Sequence, residues 1–243
     1  KRAALEEKHQ STLRLLRKNI IYALPHELRT PLHVISGYAD LLEMEQGASK
    51  PEQVLECARF IGEASRRLER LIENYLIYAQ LELIYADPEE LKAARNHLLK
   101  DSSIIIESVA LNKAHQFNRV NDFHFDLCRL GFRISEKDLG KIVYELVDNA
   151  LKFSEPGTPI TITSRREGDD LYLVIADEGR GMSLEQIQLL GAYIQFGRDL
   201  YEQQGIGMGF TVARRLIELH EGTITVESTP GAGTLITIRF SMF

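Results

Sequence analysis

Two long stretches, residues 5–44 and 52–85, carry apolar side chains at every third or fourth position with charges between them. That period is helical, and its length constrains the first third of the chain more than any other feature. In the first stretch the stripe runs through Leu13, Leu16, Ile20, Leu24, Leu28, Val34, Ile35, Leu41 and Leu42. The second runs through Phe60, Ile61, Leu68, Leu71, Ile72, Leu76 and Leu83. Between them Gly47 suits a helix C-terminus and Pro51 a first helical turn, so residues 46–51 form a short connection. Two helices so joined make an antiparallel hairpin, whose apolar stripe is too broad for the pair to cover alone. A second copy of the chain, giving a four-helix dimer, supplies the missing surface.

Past Asp87 and Pro88 the pattern changes. A polar stretch, 89–101, reads as an interdomain connection, mobile enough to bring two domains together. Residues 103–117 look helical, and 122–127 alternate with the period of a strand. Ser135, with Asp138 three residues on, opens a further helix as a near capping box. Strands are expected over 160–165 and 171–176 around the turn Gly168–Asp170, and over 223–227 and 234–240, with a helix over 210–220. The predicted architecture is multidomain: an all-α hairpin over 1–90, a linker over 91–101 and an α+β sandwich over 102–243.

Composition narrows the function classes. The 243 residues carry 44% apolar and 26% charged side chains, ordinary for a globular protein. A net charge of −6 leaves no electrostatic footprint for nucleic acid. Cys57 and Cys128 lack both disulfide-framework and metal-ligand spacing. No apolar run reaches transmembrane length and no signal segment is visible, so no membrane contact and a cytoplasmic location are expected of this stretch. Starting at Lys1 within a helical pattern, the chain is expected to be a piece of a longer sensor protein.

Several residues could carry chemistry. His26 stands beside Glu27, and an imidazole becomes a nucleophile when a neighbour orients it and takes its proton. The alternative is a solvated helix histidine. Glu145, Asp148, Asn149 and Lys152 fall at i, i+3, i+4 and i+7, placing polar groups on one helix face between apolar neighbours. Oxygens of this kind suit Mg²⁺ and the lysine suits phosphate, although a solvated charged face explains the spacing equally well. Asp177 ends an apolar strand and precedes Gly179 and Gly181, where backbone can approach a ligand closely. Gly205, Gly207 and Gly209 precede a helix whose N-terminal amides could meet phosphate.

In this order, the segments around His26–Pro31, Glu145–Lys152, Asp177–Gly181 and Gly205–Gly209 resemble the H, N, G1 and G2 boxes of the two-component sensor histidine kinases, and the likeness spans nearly the whole chain. It implies ATP and Mg²⁺ as cofactors, autophosphorylation of His26, and transfer to an aspartate on a response regulator receiver domain. Glu27 would act as base partner, and Thr30 would position a hydrolytic water in the reverse, phosphatase direction. Asn149 would hold Mg²⁺, Asp177 would recognise the adenine amino group, and Thr234 would support it, unless Thr234 is an ordinary strand threonine. Residues 192–204 would form the ATP lid, with Arg198 near the γ-phosphate. Pro25 departs from the family pattern; with Pro31 it removes two backbone donors from one helix, and a bend around His26 is expected. Two other readings stay open: a related ATPase in which Glu145 activates water, and a degenerate kinase serving as a nucleotide-binding dimer scaffold.

Overall fold

The computed structural model describes residues 24–44, 50–192 and 208–241. The chain divides into two compact units, 1–82 and 83–243.

The first unit is a helical hairpin. Helix α1 spans Leu24–Met44 and helix α2 begins at Pro51 and runs to Ala86. Gln53 accepts a hydrogen bond from the Lys50 backbone N–H at 2.9 Å, satisfying a donor at the start of α2. Tyr38 on α1 stacks on Phe60 of α2 with ring centroids 4.8 Å apart, and Tyr75 of α2 donates to Glu27 of α1 at 3.5 Å. The two pairs run in opposite sequence directions, as an antiparallel hairpin requires. Inward on α1 stand Pro31, Ile35 and Tyr38, a helical stripe. A second apolar stripe remains exposed: Leu32, Val34 and Leu41 on α1, with Leu55, Ile72 and Leu76 on α2. The helix is continuous through Pro31, whereas the expected bend around His26 begins at residue 21, outside the described residues. The first stretch before residue 24 and the connection at 45–49 also lie outside them.

The second unit opens with the last turn of α2. There Tyr85 donates to the Arg215 carbonyl at 3.0 Å, and the Arg215 guanidinium sits 4.3 Å above the Tyr85 ring. The polar stretch expected as an interdomain connection contains a helix and a short strand. Asp87 caps helix α3 (Pro88–Arg95), accepting from the Glu89 N–H at 2.9 Å. Arg95 then donates to the Leu219 carbonyl and pairs with Glu221, each at 2.6 Å. Strand β1 (Leu98–Leu99) pairs with β3 (Phe132–Arg133) as a separate two-stranded sheet. Charge without an apolar stripe hides α3 from a periodicity search, because its stability comes from caps and docking rather than from a buried face.

Helices α4 (Ser102–Gln116), α5 (Glu136–Phe153) and α7 (Met208–Leu219) pack on a five-stranded sheet; α6 (Leu184–Ala192) lies between α5 and α7 in sequence. The strands are β2 (Phe123–Leu127), β4 (Ile160–Glu167), β5 (Asp170–Asp177), β6 (Thr223–Thr229) and β7 (Gly233–Ser241). Their order is β2-β4-β5-β7-β6, with β2 parallel to β4 and every other pair antiparallel. Alternate residues of β4, β5 and β7, including Ile160, Ile162, Leu171, Leu173, Ile238 and Phe240, are buried. They meet Leu139, Ile142, Val143, Leu146 and Val147 of α5 and Val212, Leu216 and Ile217 of α7. This is the expected sandwich of helices on a sheet, and the sheet is mixed. Ser135 caps α5 as expected, accepting from the Asp138 N–H at 3.0 Å.

Candidate nucleotide site and phospho-acceptor helix

A cavity opens at one end of the sandwich, where the C-terminal half of α5 passes the ends of β5 and β7. Its α5 wall is Leu146, Asn149, Ala150 and Phe153, spaced as one helix face. Asp177 and Ile175 of β5, and Thr234 and Ile236 of β7, form the strand side. Arg180, Gly181, Met182, Gln186, Leu190, Phe210 and Val226 complete the lining. The lining is mainly apolar with a few convergent polar groups, the usual make-up of a small-molecule or cofactor site.

The polar end is built from backbone. Asp177 is half-buried and accepts from the Gly179 N–H at 2.9 Å. Burial pushes its carboxyl above the ordinary range, while hydrogen bonds from the Gly179 and Thr234 backbones pull the other way. It is thus an acceptor held in place with capacity left for a ligand donor. Ser228 of β6 ties the neighbouring turns: it accepts from the Met182 N–H at 2.8 Å, donates to the Gly233 carbonyl at 2.6 Å, and lies 3.1 Å from the Thr234 hydroxyl. Three glycines permit these approaches. A Cβ on Gly179 would fall 2.2 Å from the Phe153 carbonyl oxygen, on Gly181 2.0 Å from that of Thr229, and on Gly233 1.9 Å from that of Asp177. Gly181 and Gly233 also have φ of +62° and +90°, which side chains disfavour.

Helix α5 sorts its polar residues differently from the single face that spacing suggests. Asn149 lines the cavity. Glu145 and Asp148 are buried on the flank and held by lysines: Lys141 lies 2.9 Å from Glu145, while Lys113 and Lys152 lie 2.7 and 2.5 Å from Asp148. Glu145 is not among the residues that line the cavity. Lys152 is on this flank too, with its side chain 36% exposed, one residue before Phe153 of the wall.

The C-terminus of α5 is fixed by a residue that the sequence reading passed over. Arg119, almost wholly buried, donates to the carbonyls of Leu151 (3.1 Å), Ser154 (2.9 Å) and Thr158 (3.2 Å), and its Nε meets Asp122 at 2.5 Å. Arg180 was also missed; its guanidinium rests 4.4 Å above the Phe153 ring at the cavity wall. Its place three residues after Asp177 was the available signal, whereas nothing in the pattern marks Ser228.

On helix α5, Asn149 is the polar side chain that reaches the cavity and could give a bound Mg²⁺ a protein oxygen. Asn149 offers an amide oxygen at the cavity, while the neighbouring carboxylates are taken up by lysines, and no group of three metal-ligating side chains exists among the described residues. One protein ligand completed by phosphates and water is an ordinary Mg²⁺ environment, so the residues fit the ion. Gly205, Gly207, Arg198 and the lid lie outside the described residues; Gly209 falls in the first turn of α7.

On the hairpin, His26 and Glu27 occupy the first turn of α1, Glu27 half-buried and Thr30 exposed. Tyr75, the donor to Glu27, is itself buried.

Residues 16–84 match the His Kinase A (phospho-acceptor) domain family, and residues 134–242 the histidine kinase-, DNA gyrase B- and HSP90-like ATPase family. The chain is 29% identical over 238 residues to the sensor histidine kinase YvrG of Bacillus subtilis, covering 97% of this chain and 40% of YvrG. It therefore spans less than half the length of such curated relatives. Its fold resembles the Acinetobacter baumannii histidine kinase AdeS, with a TM-score of 0.65 at 23% identity over 89% of this chain and 98% of that one. It also resembles the histidine kinase ThkA in a structure with the response regulator protein TrrA, with a TM-score of 0.68 at 19% identity over all of this chain and 66% of that one. No helix among the described residues is long and apolar enough to cross a membrane. With a phospho-acceptor hairpin followed by an ATPase sandwich in the order of its boxes, the chain belongs to the sensor histidine kinases.

Proposed function

We propose that this chain is the kinase core of its parent protein: the sandwich binds ATP, His26 takes the γ-phosphoryl group, and the group then passes to an aspartate of a response regulator receiver domain. The observation that carries the reading is the convergence of Asp177, Thr234 and Asn149 on one cavity in a chain that also presents a phospho-acceptor helix. Asp177 accepts the adenine amino hydrogen, with Thr234 beside it. The apolar walls from Leu146, Ile175 and Ile236 receive the ring faces. Asn149 would hold Mg²⁺, which when bound neutralises phosphate charge, and Lys152 adds a cation on the same helix.

In the transfer, a ring nitrogen of His26 bonds to the γ-phosphorus as the bond to the ADP oxygen breaks. Glu27 orients the ring and accepts its proton. Because the transferred group carries its charge through a loose transition state, positioning and neutralisation do most of the work. Thr30, exposed one turn on, positions water for the phosphatase direction. The exposed stripe through Leu32, Leu41, Leu55, Ile72 and Leu76 is the surface on which a second copy forms a four-helix homodimer.

Incubation with Mg²⁺ and γ-labelled ATP tests this on the native chain, His26→Gln and Asn149→Ala. Acid-labile, alkali-stable label on the native chain only is the expected result. Label that survives His26→Gln moves the acceptor elsewhere, and ATP binding without label would favour the nucleotide-binding scaffold.

A further inference from the structure

The polar side chains of the cavity divide into those already engaged and those that are not. Asp177 accepts from the Gly179 N–H at 2.9 Å and from the Thr234 backbone, Gln186 accepts from the Ser183 N–H at 2.8 Å, and the Thr234 hydroxyl lies 3.1 Å from that of Ser228. Asn149 and Arg180, by contrast, make no side-chain hydrogen bond or ion pair among the described residues. Asn149 has a role in the reading above, and Arg180 has none. Among the described residues that line the cavity, Arg180 is the one cationic side chain.

Its position is set by backbone. The Arg180 N–H donates to the Phe153 carbonyl at 2.9 Å, and the Arg180 carbonyl accepts from the Gly231 N–H at 2.8 Å. From this anchored point the side chain, exposed to solvent, reaches over Phe153 and sets its guanidinium 4.4 Å above the ring. Phe153 lines the cavity as well. A guanidinium is flat and weakly hydrated, so it stacks on π faces while its N–H groups stay available to a ligand. We infer that Arg180 is a further nucleotide-binding residue: its guanidinium, laid on Phe153, offers the adenine base of ATP a cationic surface to stack against. Placement favours the base over the phosphates. Arg180 shares its turn with Asp177, the acceptor for the adenine amino group in the reading above, whereas Asn149, which would hold Mg²⁺ against the phosphates, lies one helical turn before Phe153. An arginine that served the phosphates would need only its charge; one that serves the base needs its plane as well. The inference rests on the ATP-binding reading.

Titration calorimetry with Mg-ATP and, separately, with adenosine tests it in the wild type, Arg180→Ala and Arg180→Lys. Arg180→Ala is expected to weaken both ligands by the same factor, about threefold to fivefold, the scale of a partly exposed cation–π contact. Arg180→Lys, which keeps the charge and loses the plane, is expected to stay at least about twofold weaker than wild type for both. Weakening of Mg-ATP alone, or full recovery by Arg180→Lys, would assign the cation's charge to the phosphates and overturn the inference, as would unchanged affinity for both ligands. Purine riboside, which lacks the amino group that Asp177 would accept, separates contact from distortion. The preference for adenosine over purine riboside is expected to survive in Arg180→Ala, and its collapse would show a disturbed turn and overturn a direct contact. Should Arg180→Ala fail to fold, Arg180→Gln takes its place with the same outcomes. A wild-type chain that binds neither Mg-ATP nor adenosine overturns the ATP reading and this inference with it.

Discussion

Asp177 and Thr234 stand opposite one another in the antiparallel register of β5 and β7, and the Thr234 backbone donates to the Asp177 carboxylate. The pairing fixes the acceptor at the polar end of the cavity, at the edge where burial raises its pKa above 3.8. A group raised in this way contributes stability that is present below its unfolded pKa and lost as pH rises through its folded one. At neutral pH the empty site therefore carries a small cost that a bound amino donor offsets. Adenosine binding should weaken on acidification at a pH above the ordinary aspartate range, with a flat and weak profile for Asp177→Ala. A wild-type profile unchanged down to the ordinary aspartate pKa would remove Asp177 from base recognition.

Steric room separates the glycines around the same acceptor. Gly233→Ala places a Cβ 1.9 Å from the Asp177 carbonyl oxygen at φ +90°, so both the turn and the strand end must move. A loss of about 3 kcal/mol or more is expected, with nucleotide binding lost as well. Gly231 has φ of +79° with open space around its position, so Gly231→Ala should cost only about 1 kcal/mol. Denaturant titration of the two variants gives the comparison; equal costs would mean that backbone conformation, not crowding, governs this turn.

Arg119 supplies donors to three carbonyls at and beyond the end of α5, one turn from Asn149 and Lys152. Arg119→Met leaves those acceptors without their donor and should cost about 3 kcal/mol, read as a lowered unfolding midpoint. The loosened helix end should also weaken nucleotide binding at temperatures where the fold persists. Unchanged stability would show that water replaces the guanidinium without penalty.

The strands and their alternation were legible because β4, β5 and β7 bury one face each; the expected bounds at 160–165 and 234–240 differ from the structure by two residues or fewer at each end. Strands β1 and β3 are two residues long, too short for any period to register, and α3 has charge where a periodic stripe would be. At the site, Asp177, Gly179 and Gly181 stand out in the sequence as an aspartate at a strand end followed by glycines, and the structure sets Asp177 and Gly181 in the cavity lining with Gly179 donating to Asp177. The sorting of α5 was not legible. Helical spacing puts Glu145, Asp148, Asn149 and Lys152 within one broad face, and the division within that face is made by Lys113, which arrives from α4 more than thirty residues earlier. A local period contains no information about such a partner.

His220 and Asp138 join the end of α7 to the start of α5: the imidazole Nε2 lies 3.0 Å from the carboxylate, and the ring is fully buried with Nδ1 lacking a partner. Facing a carboxylate, Nε2 is the donor of the pair. Burial pushes the Asp138 carboxyl up, but hydrogen bonds from His220 and Ser135, with the charges of His220 and Lys137 nearby, together outweigh it and hold the group below the ordinary aspartate range. A depressed carboxyl contributes stability that is present above its unfolded pKa and lost as pH falls through its folded one. Asp138→Asn should therefore cost about 1–2 kcal/mol near neutrality and progressively less as pH falls below the ordinary aspartate range. Urea titrations of both proteins across the acid range give the difference directly. A gap that stays constant through that range would assign the loss to the packing of the substituted side chain and not to its charge, because the Ser135 cap on the backbone N–H of residue 138 is present in both proteins.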